Sequence, residues 1–523
     1  ACGKAVALRA QGIDCHMWVP MGDGEQQKGQ VGEARRFAMK FGLGNVTAII
    51  DYNQLQISGN IHTVMPQNIC DDWRADGWRV VEVDGHDLDA LYAALRESRY
   101  QGGKVTPTMI LAHTTMGKGY PAIENDHNYH GVALSVGQAA EAFAALGFDD
   151  PKYNDIAALS ERRASGVSVT LESAPVLRPQ VATGEPRTYR PDQQTDNRSA
   201  WGAALVDIAE ANASSGTPTL VFDCDLASSV KTAGFEKKFP ERFFQCGISE
   251  HSTATAAGGA SSEGALTFWS DFGVFGVCET YNQNRLNDIN HTNLKVVCTH
   301  CGLDVGEDGK THQCIDYFGL SRSVFGWRMY TPADPNQTDR IVRYVAAEPG
   351  NFLVVMGRSK MNPLASPDGS ALFGGDYEFV PGRVDLLREG ADVVIVCAGN
   401  VAGQGLAAWE ALANEGAAPR LVSSAHWADF SLDDLRMIAE FGRIVTVEDH
   451  NVNNGFGMSL SAELFAAGLS ARIIKLGARE YGPSGKSADV YRAMGIDGPA
   501  IASAARALRK EPAPAGHEAV VKA

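Results

Sequence analysis

Asp23, set between Gly22 and Gly24, together with Asn53-Gln54-Leu55 some thirty residues later, is the most informative group of residues in the chain. A diphosphate needs a divalent cation and close approach of the backbone. Glycines permit that approach, and a carboxylate with an amide oxygen suits a hard ion such as Mg²⁺ or Ca²⁺. In this reading Asp23 and Asn53 supply two oxygens and the Leu55 carbonyl a third. Gly-Asp-Gly alone is more often a turn between strand and helix; Asn53 at a matching strand end lifts it above that.

A second group surrounds Glu250. Gly247-Ile-Ser-Glu250-His251 precedes small residues from Thr253 to Gly259 that read as a helix, and Phe272 and Phe275 follow. A carboxyl buried beside aromatic rings keeps a raised pKa and can share a proton. In isolation the same residues describe a helix-capping Glu next to core phenylalanines. A third group is basic: His130, His300 and His312, with Arg198 and Arg358. Imidazoles near neutrality move protons at hydroxyl groups, and the planar fork of Arg suits phosphate. A lone His is usually structural, and a lone Arg usually forms a surface ion pair.

The elements that must position these residues repeat as strand, loop and helix, which predicts an α/β protein with mainly parallel sheets. Strands are expected at His16–Met21, Val46–Ile50, Arg79–Val83 and Thr108–Ala112, with a helix from about Gln27 to Phe41. The polar groups fall where loops leave the carboxyl ends of strands, the usual ligand position in open α/β sheets. Residues 172–195, rich in Pro and charge without apolar period, read as a linker. A first domain, 1–171, precedes it; a second follows at 196–365 and a third at 383–511, with strands expected at Val393–Cys397 and Ile444–Val447 and helical periods near Leu406–Leu412 and Ala500–Leu508.

The Gly22-Asp-Gly24…Asn53 pattern resembles the thiamine-diphosphate motif, and its flanks, Gly22-Asp-Gly-Glu-Gln-Gln-Lys-Gly29 and Leu43-Gly-Asn-Val46, resemble transketolase. Thr299-His300 followed by Gly306-Glu-Asp-Gly-Lys-Thr-His-Gln313 is the most specific part of this likeness, which covers nearly the whole chain, including Val447-Glu-Asp-His450. The resemblance implies two thiamine-diphosphate-binding-type domains, one for the diphosphate and one for the pyrimidine, plus a C-terminal transketolase-type domain that supports the dimer. It implies that Glu250 faces the pyrimidine ring on a bed of Phe272 and Phe275, and that Asp225 lies near the thiazolium. His300 and His312 would serve the sugar hydroxyls and carbonyl, His130 the diphosphate and reacting carbon, and Asp308 the acceptor hydroxyl. Arg198, Ser229 and Arg358 would grip the sugar phosphate.

The implied activity is transfer of a two-carbon ketol unit from a ketose phosphate to an aldose phosphate, with thiamine diphosphate and Mg²⁺ or Ca²⁺ as cofactors. Alternatives are an enzyme of the deoxyxylulose-phosphate synthase or dihydroxyacetone synthase type, or a catalytically impaired relative. Metal loop and glutamate come from different subunits in the family, so a homodimer with active sites at the subunit interface is expected. The spacing from Phe272 to His300 looks most like the short, often split, archaeal and bacterial transketolases.

Three departures stand out. The family's upstream region would precede Ala1, so the chain reads as N-terminally incomplete, completed by a separate N-terminal polypeptide or cut from a longer one. Lys28 replaces a family Glu that links the two active sites and is expected to pair with the partner's glutamate. Cys301-Gly302 replaces the usual Asp-Ser. The net charge of −16, from 46 basic and 62 acidic residues, argues against nucleic acid or an anionic membrane as main partner. Ten cysteines in 523 residues do not resemble a disulfide framework, and Cys298-Thr-His-Cys301 lacks the further ligands that zinc needs. With no leader pattern, a cytoplasmic location is expected.

Overall fold

The computed structural model describes residues 1–100, 105–148, 177 and 179–514. It divides into two compact units, Ala1–Val176 and Leu177–Ala523. In the first, β1 (Met17–Gly22), β2 (Val46–Tyr52), β3 (Arg79–Asp84) and β4 (Thr108–His113) form a parallel sheet in the order β1-β2-β4-β3. The apolar runs of β2 and β4 make the buried middle of this sheet, whereas β1 and β3 stay partly exposed at its edges. Pro20 is compatible with β1 because an edge strand has one unpaired side. Gly22 stands opposite Asp51, so the loops carrying Asp23 and Asn53 leave neighbouring strand ends. The helix expected from Gln27 begins at Gly29, because Gly24–Gln27 first winds as a separate 3₁₀ turn.

In the second unit six parallel strands, β5 (Thr219–Asp223), β6 (Phe243–Gln245), β7 (Leu266–Phe272), β8 (Leu294–Thr299), β9 (Trp327–Tyr330) and β10 (Asn351–Val355), lie in the order β9-β10-β8-β7-β5-β6. Every residue of β5, β7, β8 and β10 is buried, the pattern of strands covered on both faces. The chain passes from β5 to β6 on one side and returns to β7 on the other, which opens a crevice between the ends of β5 and β7.

A third sheet has the order β11-β13-β12-β14-β15, from Asp385–Arg388, Val394–Ala398, Arg420–Ser424, Arg443–Asn451 and Arg472–Ala478 numbered in turn, with only β11 antiparallel. Its core takes in Leu303 and Ile315 from the loops above the second sheet, so these two sheets share apolar packing. Of the expected linker, residues 172–176 and 178 lie outside the described residues, as does 149–171 of the first expected domain. Part of the remainder is firmly held. The Arg187 N–H donates to Asp339 at 3.0 Å, its guanidinium grips both oxygens of Asp207 at 2.7 Å, and the Tyr189 N–H donates to Asn336 at 2.7 Å. Among the described residues no helix is long and apolar enough to cross a membrane.

Candidate active site

In the first unit Asp23 is only 2% exposed, and its Oδ2 accepts the Gln54 N–H at 2.5 Å, tying together the loops that follow β1 and β2. Gln54 has φ of +61°, a left-handed value that non-glycine residues seldom hold. Asn53 accepts the Leu55 N–H at 2.9 Å and donates to Asp51 at 3.1 Å. Burial raises the Asp23 carboxyl above its ordinary value and Asp51 adds to this, whereas the Gln54 and Gly24 N–H groups and His130 lower it. A desolvated carboxyl beside a second acid gains from a nearby cation. Asp23, Asn53, Leu55 and His130 are therefore brought into one neighbourhood, with His130 exposed at the end of a short 3₁₀ turn. A side chain at Gly24 would crowd Gln56, its Cβ standing 3.2 Å from that amide oxygen. Sequence reading misses Gln26, which is buried, donates to the Gly22 carbonyl at 3.1 Å and accepts from the Trp73 indole at 3.0 Å.

The crevice of the second unit collects most of the remaining residues. Glu250, 7% exposed, is the first residue of the helix Glu250–Ser261, where the helix dipole favours negative charge. Phe272 ends β7, its ring 6.2 Å from that of Phe275 and nearly parallel to it, and 3.8 Å from the His300 imidazole. His312 meets Phe275 edge-on at 5.6 Å. The two Thr-His pairs share one device: Thr299 and Thr311 each place their hydroxyl 2.8 and 2.9 Å from Nδ1 of the following histidine, which leaves Nε2 as the ring atom available to a ligand. His300 is 4% exposed, and burial, with Arg198 and Arg358 adding to it, pushes its pKa down to about 3. It is a neutral imidazole throughout the physiological range. Asp225, exposed at φ +66°, donates its N–H to Gln245 at 2.6 Å. The organiser of that loop is Asp223, fully buried, which accepts from the Leu226 N–H, the Gln245 amide and the Thr232 hydroxyl at 2.7–2.8 Å.

Arg198 and Arg358 line one cavity of about 490 Å³ with Asp304, Lys360, Lys486 and Tyr491. Arg198 donates to the Ser229 carbonyl at 3.1 Å and the Arg358 carbonyl at 2.8 Å, so the three residues meet as the sequence reading grouped them. Arg358 is also paired with Glu307, and with Asp308 at 3.3 Å. Asp304 is missed by motif reasoning. Buried at 2%, it accepts the N–H groups of Arg358 and Ser359 at 2.6 and 2.9 Å and so shapes the cavity wall. Asp449 of the third sheet anchors the opposite side, accepting from the Leu303 N–H at 2.6 Å and the Tyr491 hydroxyl at 2.7 Å. Gly302 is required there: its φ is +76°, and a Cβ would sit 2.3 Å from Asp449. The third domain thus adds Lys486, Tyr491 and Asp449 to the surroundings of the site.

Parallel α/β sheets whose polar loops gather at strand ends define a multidomain, cofactor-binding α/β protein. Three family models match it in chain order: the transketolase thiamine diphosphate binding domain over residues 8–165, the pyrimidine binding domain over 197–363 and the C-terminal domain over 382–501. The chain belongs to the transketolase family and carries its thiamine-diphosphate-binding domains. Transketolase-like protein 2 of Mus musculus is 28% identical over 504 residues, covering 93% of this chain and 75% of that protein. The transketolase structure from Campylobacter jejuni shares the fold at 23% identity and a TM-score of 0.78, covering 96% of this chain and 80% of its own. A split-gene transketolase, solved as an inactive β4 tetramer, is 30% identical with a TM-score of 0.52, covering 60% of this chain and 98% of that one.

Proposed function

We propose that the chain transfers a two-carbon ketol unit from a ketose phosphate to an aldose phosphate. The observation that carries this reading is the cavity walled by Arg198, Arg358, Lys360 and Lys486, within the same unit as the neutral His300. Cationic forks and ammonium groups suit a sugar phosphate, and a neutral imidazole can accept a hydroxyl proton. The donor chemistry fits the family's cofactor: Asp23, Asn53 and the Leu55 carbonyl offer hard oxygens to Mg²⁺ or Ca²⁺, and Phe272 and Phe275 offer an aromatic bed beside which Glu250 can hold a proton at a ring nitrogen. Bound thiamine diphosphate supplies the carbon nucleophile for cleaving and re-forming the bond next to a ketose carbonyl. The protein's own share is to hold the phosphate, with Ser229 beside the arginines, to orient the sugar through Asp308, and to pass hydroxyl protons through the Nε2 atoms of His300 and His312. His130 would act near the diphosphate and Asp225 near the thiazolium.

The proposed working form is a homodimer with sites at the subunit interface, located in the cytoplasm, with a separate N-terminal polypeptide as a further partner; the split-gene neighbour supports this last element. An assay pairing ketose phosphate donors with aldose phosphate acceptors, with and without thiamine diphosphate, tests the reading. Turnover of pyruvate with an aldehyde phosphate, or of formaldehyde as acceptor, would move the protein to the deoxyxylulose-phosphate or dihydroxyacetone synthase type. A catalytically impaired protein is the second reading, favoured by Lys28, which is exposed at the start of the helix Gly29–Lys40 where the family has a Glu. Calorimetric titration with thiamine diphosphate and Mg²⁺ separates it, since an impaired protein of that kind gives no heat of binding.

A further inference from the structure

Beneath the aromatic bed lies an acidic residue to which the sequence motifs give no role. Asp271, the penultimate residue of β7, is fully buried. Its Oδ1 accepts the Phe272 N–H at 2.8 Å, and its Oδ2 is buried without a hydrogen-bond partner. Ligand atoms of Asp271, Glu250 and Cys224 all lie within 4.8 Å of one another. The π-helical turn Val274–Glu279 seals the group from above: a Cβ on Gly276 would stand 3.3 Å from the Asp271 Cβ and 2.6 Å from the Cys298 Sγ. Among the titratable groups that face Asp271 are Glu250, Asp223, Cys224 and Cys298, each an acid or a thiol.

We propose that Asp271 is a positioning residue for Glu250, and that the two buried carboxyls share one proton and carry a single negative charge between them. Two carboxylates this close cannot both ionise in a dry site. The distribution of the proton follows from the surroundings. Glu250 sits at a helix N-terminus, which favours its charge, whereas Asp271 is fully buried, held by the Phe272 N–H and beside only the weakly donating Cys224 thiol. The proton therefore resides on Asp271 and the charge on Glu250, and Asp271 acts as the adjacent store when Glu250 gives up or takes on a proton. Burial first, and the neighbouring Glu250 second, push the Asp271 carboxyl well above the usual carboxylate range, consistent with this assignment. The shared proton belongs to the protein alone; its use in catalysis rests on the function proposed above.

Infrared difference spectra of the cofactor-free protein, recorded across pH 5–9 for wild type and Asp271→Asn, test the pair directly. The expected result is a protonated-carboxyl band above pH 7 in wild type that the variant lacks. Glu250→Gln removes the neighbouring charge and should lower the midpoint of that band by at least about one pH unit, a tenfold change in proton affinity. It also serves if Asp271→Asn fails to fold. Identical wild-type and Asp271→Asn spectra above pH 7, an unmoved midpoint in Glu250→Gln, or a tightly held metal ion lost in Asp271→Asn would each overturn the inference. Failure of wild type to bind thiamine diphosphate with Mg²⁺ by calorimetry would sink the functional reading and leave the carboxyl pair standing.

Discussion

The two regions that carry chemistry are built on opposite plans. In the first unit the polar loops leave a sheet whose edge strands are partly exposed, and Asp23 is the one buried acid among Asn53, Leu55 and the exposed His130. In the second unit the crevice rests on strands buried along their whole length, and His300, Glu250, Asp271, Asp304 and Asp449 are all at most 7% exposed. An accessible loop suits an ion and a diphosphate that arrive with their own charge. A dry crevice fixes protonation states before any substrate enters, because desolvation outweighs the other influences on His300 and Asp449. On the function proposed above, the contrast would give anchoring to one unit and proton control to the other.

The largest expected effect tests the anchoring side. Asp23→Asn should weaken metal-dependent binding of thiamine diphosphate by about 100-fold or more, since even outer-shell changes at metal sites cost 10–100-fold; calorimetry at fixed Mg²⁺ reads it. A change below threefold would break the comparison. Next, Arg358→Leu removes a charge-assisted contact of about 1.5–3 kcal/mol, which predicts a KM for phosphorylated acceptors higher by about 10–100-fold. The rate with an unphosphorylated aldose should barely move, and steady-state kinetics on both acceptors decides the matter.

A smaller effect concerns the backbone that shapes the dry crevice. Gly302→Ala should cost about 1–3 kcal/mol in denaturant unfolding, from its positive φ and the collision with Asp449. Gly403→Ala, with open space around its Cβ, should cost nothing. An effect of comparable size is electrostatic. Burial raises the Asp449 pKa to about 7, with Asp304 contributing. Because the folded pKa exceeds the unfolded one, the folded state binds the extra proton between those values. The carboxyl's contribution is thus greatest in acid and declines by about 1.4 kcal/mol per pH unit until about pH 7, then levels. In Asp449→Asn that decline is absent, so the stability gap between wild type and variant should shrink from pH 5 to 7 and stay constant above. Paired denaturation curves at several pH values provide the check.

The strands of the first sheet were legible to within one or two residues, as for β2, expected at Val46–Ile50 and observed at Val46–Tyr52, whereas β14, expected at Ile444–Val447, runs over Arg443–Asn451. The grouping of Arg198, Ser229 and Arg358, and the choice of His300 and His312, were legible through resemblance, while the common Thr-to-Nδ1 contact of the two histidines comes from the structure. What escaped are pairings between residues distant in sequence. Asp449 meets Leu303 across 146 positions, Gln313 meets Gly482 across 169, and Gln26 meets Trp73 across 47. No periodicity encodes such pairs. Asp271 escaped for a different reason: an acid inside the run Leu266–Phe272 reads as an isolated polar break in a strand, and only burial against Glu250 gives it meaning. The Pro-rich stretch before residue 196 looked loose because its hydrogen bonds go to side chains of the helix Pro335–Ala347.

The central claim, that Glu250 sets the proton state of a cofactor ring, is tested most directly by hydrogen–deuterium exchange at the thiazolium carbon of thiamine diphosphate, followed by quenched-flow NMR. With wild type the exchange should far outpace that of free cofactor, and Glu250→Gln should slow it by about 10²–10⁴-fold while still binding the cofactor. Equal exchange rates in the two proteins at saturating cofactor would contradict the account.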